Sequence, residues 1–258
     1  MTDAPQDTAP VDEAPVLSAD ERGVRTLTLD APERRNALSL PLMTALRDAL
    51  DRAADDDAVR AVVLTHTGNT FSAGADLSGR GGTPHDLVAL LRALVELPKP
   101  VVARVTGHVR GGGLGLLGAC DLSFAANATS SFAFSEVRVG VAPAVISLPL
   151  LPRLDPRAAT RYYLTGERFD AAEAARIGLI TEAAEDVDAA LAPVLTALRR
   201  SSPQGLAAAK RLVTAEVLRA FDRDTDNLAS MSARLFGSAE AREGMTAFLE
   251  RREPTWAQ

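Results

Sequence analysis

The sequence predicts an α/β fold that gives way to a helical carboxy-terminal region. Up to about residue 140, strand-like and helix-like segments alternate, which is the order that α/β architecture requires. Beyond about residue 145 the apolar residues recur mostly at helical spacing. A third feature, the glycine-dense stretch 107–121, lies in the α/β part and follows a strand-like run directly. With 258 residues the chain can bury a large core, as one domain or as one domain with a small appendage.

Residues 1–16, rich in Ala, Pro, Asp, Glu and Thr, carry no apolar period and are expected to form a flexible tail. Segment 23–29 alternates as a half-buried strand does. After the polar turn Glu33-Arg34-Arg35-Asn36, Ser39 caps a helix of about 41–54 with Pro41 in its first turn. The run 59–65 is more continuously apolar, and so a more central strand. A glycine-rich loop over about 68–83 then leads to a helix over 84–96 that closes before Pro98. Strand 100–105, the glycine-led helix and two short strands, 122–125 and 131–134, complete the α/β part. Segments 156–163, 171–177, 187–200, 204–219, 221–235 and 239–251 read as helices, with a small turn and strand near 178–181. The division expected is a tail over 1–16, a core over 17–202 and a helical cap or subunit interface over 203–258.

Composition narrows the function. The net charge is −6, and aromatic residues make up only 4% of the chain. Neither fits a nucleic-acid binder, which needs a basic face or stacking platforms. Lys99 and Lys210 are the only lysines, so most positive charge is arginine, whose planar fork suits phosphates and carboxylates. Cys120 stands alone within an apolar run, which fits a buried structural thiol and gives neither a disulfide framework nor a cysteine metal site. His66, His85 and His108 lack metal-ligand spacing, and neither an HExxH nor a GxSxG motif occurs, so no metal is expected. No apolar run of membrane-spanning length is present, and a soluble, cytoplasmic protein is expected.

Segment Gly113-Leu114-Gly115-Leu116-Leu117-Gly118 matches GxGxxG literally. A dinucleotide site would need an acidic residue ending the next strand about 20 positions on. Glu136 lies at roughly that distance but beyond two short strands. Glycines that let helices pack closely are a second reading. The third takes in Asn69-Thr70-Phe71-Ser72-Ala73-Gly74-Ala75-Asp76-Leu77, another small-residue turn after a central strand. Two such turns can aim one backbone N–H each at the same oxygen, and the helix beginning in the second adds its positive end.

These segments resemble the crotonase, or enoyl-CoA hydratase/isomerase, superfamily over about 17–256. The resemblance rests on Pro32 to Ser39, Phe71 to Leu77, Gly111-Gly112-Gly113 with Ala119-Cys120-Asp121, and Ser135 to Pro143. Further matches are Tyr163 to Ala171, Ala175 to Ile180 and the closing Ala241 to Glu250. It implies a spiral of repeated ββα turns, a carboxy-terminal helical region used in assembly as a homotrimer or a dimer of trimers, and an acyl-CoA thioester substrate. Coenzyme A would be part of that substrate, with no separate cofactor. The thioester oxygen would receive the N–H groups of Ala73 and Gly112.

The family's hydratases use two glutamates. Glu136 matches the second, whereas the first falls on Gly115, which can neither carry a proton nor hold a water. Glu136 alone can still remove and deliver a proton, as the same position does in some double-bond isomerases. By the same resemblance Arg34 or Arg35 would meet the CoA phosphates and Ala37 the adenine end. Asp76, with Leu77 beside it, would order the first oxyanion loop or contact CoA. The wording around 111–116, 136–147 and 162–169 is similar to bacterial members assigned to methylglutaconyl-CoA or related branched enoyl-CoA hydration. Hydration of a 2-enoyl-CoA is therefore the expected reaction. The alternatives are Δ3–Δ2 isomerisation, thioester hydrolysis and a non-catalytic scaffold.

Overall fold

The computed structural model describes residues 15–78 and 80–257, and its first structured piece is a hairpin. β1 (Val16–Glu21) pairs antiparallel with β2 (Val24–Leu29) through Arg22 and Gly23, both at positive φ, 50° and 78°. The mirror-image turn matches the twist of the strands. Five of the six β1 residues are exposed, so this edge strand carries no alternating apolar face and escaped the sequence reading. Residue 15 is described and residue 16 belongs to a strand, while residues 1–14 of the expected tail lie outside the described residues. A 3-10 turn, Pro32–Arg34, then leads to α1 (Leu40–Asp55), whose Ser39 hydroxyl accepts from the Leu42 N–H.

The chain next repeats one unit. β3 (Ala61–His66), β4 (Thr70–Ser72) and α2 (Pro84–Glu96) form the first ββα turn. β5 (Val101–Val105), β6 (His108–Arg110) and α3 (Gly112–Ala119) form the second. β7 (Leu122–Ala126) and β8 (Ser131–Ala133) begin a third, which continues through a 3-10 turn, Ser135–Val139, to α4 (Ser147–Leu150). In each unit the first strand joins a large sheet and the second a small one. The large sheet runs β2-β3-β5-β7 in parallel, and the small one runs β4-β6-β8 in parallel. Stacking equal turns in this way makes a spiral with its loops collected along one edge.

Beyond it come α5 (Pro156–Thr165), β9 (Phe169–Asp170), α6 (Ala171–Arg176), β10 (Glu182–Ala184) and α7 (Val187–Arg200). β9 closes the small sheet against β8, and β10 closes the large one against β7. The large sheet is apolar on both faces. Val62 and Leu64 enter the main core, whereas Val63, Val102 and Phe124 pack with Val187 and Leu191 of α7 on the other side. This double burial explains the continuous apolar run of β3.

α8 (Pro203–Val213), α9 (Ala215–Phe236) and α10 (Ala239–Glu250) complete the chain. The break between α8 and α9 falls at Thr214, not near residue 220 as the periodicity suggests, and its hydroxyl donates to the Lys210 carbonyl at 2.8 Å. α8 is tied to the spiral by Lys210, buried 2.7 Å from Asp121 and donating to the Leu94 carbonyl at 2.8 Å. α9 packs on α2 and α4, and α10 on the 3-10 turn 135–139. No helix among the described residues is long and apolar enough to cross a membrane.

Candidate active site

The site forms where neighbouring strands of the small sheet release their loops. β4 and β6 run side by side, with Thr70 opposite His108 and Ser72 opposite Val109. Loops 72–76 and 110–113 therefore emerge together and meet backbone to backbone. Gly74 has φ +89°, and a Cβ there would lie 2.9 Å from the Arg110 carbonyl oxygen and 3.0 Å from the Gly112 nitrogen. Gly111 turns the chain into α3 at φ 48°, where side chains other than glycine are strained.

Segment 31–38 supports the first loop. Asn36 is fully buried; its Oδ1 accepts from the Ala31 N–H at 2.8 Å, and its Nδ2 donates to the Thr70 carbonyl at 2.8 Å. The Leu38 N–H donates to the Gly74 carbonyl at 2.8 Å, and the Ala73 N–H to the Arg35 carbonyl at 2.9 Å. This second bond corrects the expected donor. The Ala73 amide is occupied, because the Arg35 carbonyl reaches it first. Ala75, two residues on, is exposed, and its N–H meets no acceptor among the described residues. The Ala75 nitrogen lies 3.7 Å from where a Gly112 Cβ would stand. Gly112 is the first residue of α3, so its own N–H has no partner within the helix. The free amides that come together are thus those of Ala75 and Gly112.

Glu136 projects beside them from the 3-10 turn after β8. Its Oε1 is 3.7 Å from the position of a Gly111 Cβ, while its Oε2 is buried with no hydrogen-bond partner. Burial pushes the carboxyl up to about 7, opposed only by a bond to its own backbone N–H. The turn itself is clamped from outside by α10. A Cβ on Gly244 would lie 2.6 Å from the Val139 carbonyl carbon, and one on Gly140 2.7 Å from the Glu240 carbonyl.

Gly115, one turn into α3, faces a filled space. A Cβ there would meet Ile146 Cγ2 at 2.6 Å and Leu91 Cδ1 at 3.2 Å. Likewise, a Cβ would lie 2.8 Å from the Ser72 Cβ at Gly113 and 2.4 Å from Leu150 Cδ2 at Gly118. The literal GxGxxG is a close-packing surface along α3. Two further hydroxyls, those of Tyr163 and Ser147, stand close to one another behind the Glu136 turn. The Tyr163 ring lies 4.6 Å from that of Phe134, and its hydroxyl 3.4 Å from the Ser147 Oγ. Burial raises the Tyr163 phenol well above its ordinary range; the Ser147 hydrogen bond opposes this and the Glu136 charge adds to it.

The remaining expected residues lie on two loops joined by a bridge between Leu38 and Ala75. Arg34 and Arg35 are exposed, with Arg34 3.8 Å from Glu33, and Ala37 is half-buried. The Asp76 Oδ1 accepts from the Ser78 N–H at 2.8 Å, its Oδ2 is buried without a partner, and Leu77 beside it is half-buried. Asn36 stands in the polar turn that the sequence shows, but its role as a buried link from that turn to β4 rests on contacts with a distant segment. His66 accepts from the Thr106 N–H at 3.1 Å and packs on Phe71, a structural arrangement. Burial pushes the Cys120 thiol up to about 12, which leaves it unreactive.

A family model described as enoyl-CoA hydratase/isomerase matches residues 19–258. The crystal structure of an enoyl-CoA hydratase from Mycobacterium avium superposes with a TM-score of 0.89 at 55% identity, covering 95% of this chain and 100% of that one. The 1,2-epoxyphenylacetyl-CoA isomerase of Escherichia coli is 34% identical over 255 residues, 93% of this chain and 97% of its own. The trans-2-decenoyl-[acyl-carrier-protein] isomerase of Streptococcus mutans is 30% identical over 249 residues, 91% of this chain and 94% of its own.

Proposed function

This chain belongs to the enoyl-CoA hydratase/isomerase family, and we propose that it adds water across the 2,3 double bond of a 2-enoyl-CoA. The observation that carries this reading is two free amides, Ala75 and Gly112, beside Glu136, whose Oε2 is buried without a partner. The thioester oxygen takes both N–H groups. When the oxygen of water bonds to C3, the double-bond pair moves through C2 towards that oxygen. Fixed donors stabilise the charge arriving there more than they stabilise the bound substrate. Ionised Glu136 accepts the proton that water loses and returns it to C2 as the enolate collapses. One carboxyl acting on one face delivers syn addition, and a value of about 7 suits a group that must take and give a proton near neutrality.

Coenzyme A enters as part of the substrate, along loops 32–38 and 74–78, with Arg34 and Arg35 towards its phosphates and Ala37, Asp76 and Leu77 beside it. A branched or glutaconyl-type acyl chain is the substrate class proposed. The helical region exposes Leu212, Val213, Phe248 and Leu249, which supports assembly as a homotrimer or a dimer of trimers, checked by light scattering. Double-bond migration from C3 to C2 is the second reading. It is favoured by the Ile146 side chain against Gly115, which leaves one carboxyl where paired-glutamate hydration uses two.

The test offers a straight-chain 2-enoyl-CoA, a branched glutaconyl-type CoA and a 3-enoyl-CoA in oxygen-18 water. Label in a 3-hydroxyacyl product supports hydration; migration without label supports the isomerase; no turnover of any of them defeats both.

A further inference from the structure

With Gly115 closed off by Ile146, the reacting water needs another polar neighbour, and the wall beside Glu136 supplies one. Ser147 follows Ile146 directly, and its hydroxyl lies 2.7 Å from the Pro143 carbonyl and 3.4 Å from the Tyr163 hydroxyl. A serine has one proton to give. The Ser147 hydroxyl is thus shared between the Pro143 carbonyl and the Tyr163 oxygen, which accepts at most one hydrogen from it and keeps a lone pair for a further donor. Phe134, two residues before Glu136, packs on the Tyr163 ring and fixes its plane. Glu136, on the same turn as Phe134 and close enough for its charge to act on the Tyr163 phenol, has its Oε2 buried with no partner. A donor between them would satisfy both groups, and water is the small molecule that donates twice.

We propose that the Tyr163 hydroxyl, oriented by Ser147, positions the water that Glu136 activates, in the role for which position 115 has no side chain. The inference rests on the hydration reading above. In the step, one water proton stays hydrogen-bonded to the Tyr163 oxygen while the other passes to the Glu136 carboxylate. The water oxygen bonds to C3, the C2–C3 pair moves towards the thioester oxygen, and the Glu136 proton then goes to C2. Tyr163 keeps its own proton throughout. It is a positioning residue, and its loss misplaces the water without touching the enolate machinery.

The experiment compares wild type, Tyr163→Phe and Ser147→Ala in two assays on each preparation. One is oxygen-18 hydration of a 2-enoyl-CoA, and the other is deuterium exchange at C2 of the saturated acyl-CoA, which needs Glu136 and the oxyanion donors but no attacking water. Tyr163→Phe removes one oxygen atom and is expected to lower the hydration kcat about 10–100-fold, the scale of loss that a misplaced reactant carries, with KM within about 3-fold. Its C2 exchange stays within about 3-fold of wild type. Ser147→Ala, which frees the tyrosine to rotate, gives a smaller loss of the same kind. Wild-type hydration by Tyr163→Phe overturns the inference and leaves the hydratase reading standing. Equal losses in both assays overturn it in favour of a structural role. Absence of oxygen label from the wild-type product overturns the hydratase reading and the inference with it.

Discussion

Gly112 and Gly115 lie one turn apart on the same helix and do opposite things. At Gly112 the end of the Leu38 side chain takes the space of the missing side chain, 2.9 Å from where a Cβ would stand, but the backbone N–H stays without a partner among the described residues, with Gly74 and the free Ala75 amide close by. At Gly115 the missing side chain is filled from the other side by Ile146 and Leu91. The first glycine sets a free donor at the helix start beside loop 72–76, whereas the second only lets side chains close in on the helix. Glycine in a motif is therefore not a function; what occupies the space it leaves decides. Under the proposed mechanism, that contrast leaves backbone amides as the charge-stabilising donors and one carboxyl for proton transfer.

The comparison is most strongly challenged at that carboxyl. Glu136→Gln is expected to lower turnover by about 100–10,000-fold, the range for a positioned acid/base, with thioester affinity kept. It should also gain stability at alkaline pH. A carboxyl raised from 4.5 to about 7 favours its neutral form in the fold, so its contribution is full below 4.5 and is lost as pH rises through about 7. The shift corresponds to roughly 3 kcal/mol at pH 8, which the uncharged glutamine restores. Urea denaturation at pH 4 and pH 8 should show the variant's advantage only at the higher pH, and an equal effect at both would remove the burial argument.

At the open end of the helix, Gly112→Pro deletes one donor while leaving a residue that the first helical position tolerates. Loss of an oxyanion donor lowers turnover about 100–1,000-fold, and Ala75→Pro should fall in the same range. Unchanged turnover in folded Ala75→Pro would return the role to another amide. A smaller effect is expected at the clamp. Gly244→Val pushes on the Val139 backbone and displaces the Glu136 turn, so kcat should drop about 10–100-fold with KM nearly unchanged, since a misplacement of about 1 Å carries losses of this size. A rise in KM alone would mean that α10 acts on binding instead.

At the closed end the effect is on stability. Gly115→Ala gains about 1 kcal/mol of helix propensity, but its methyl overlaps Ile146, and overpacking costs about 1–3 kcal/mol. A net loss that Ile146→Val relieves is expected in paired unfolding curves. A stabilised Gly115→Ala protein would show that the space is open after all.

Much of this architecture was legible in the sequence because its periods are strong. Strand β3 buries all six residues, and α2 carries the Thr83 cap and early proline that mark a helix start. β1 was not legible, since an exposed edge strand has no apolar face to betray it. The site was legible in part. Both small-residue loops and Glu136 stand out in the chain, but which amide of loop 72–76 is free depends on a carbonyl 38 residues earlier, that of Arg35. The closing of Gly115 by Ile146 and the meeting of Tyr163 with Ser147 are likewise contacts between distant segments. No local pattern records them.

The central claim is that one carboxyl, raised by burial, carries the proton, and the pH dependence of kcat/KM tests it most directly because it reports the free enzyme's essential groups. The wild type should rise tenfold per pH unit below an inflection near 7 and level off above it, the sign for a base that must be ionised, and this rise should be absent from the residual activity of Glu136→Gln. A wild-type profile that is flat between pH 5.5 and 8, or an inflection that persists in Glu136→Gln, would contradict it.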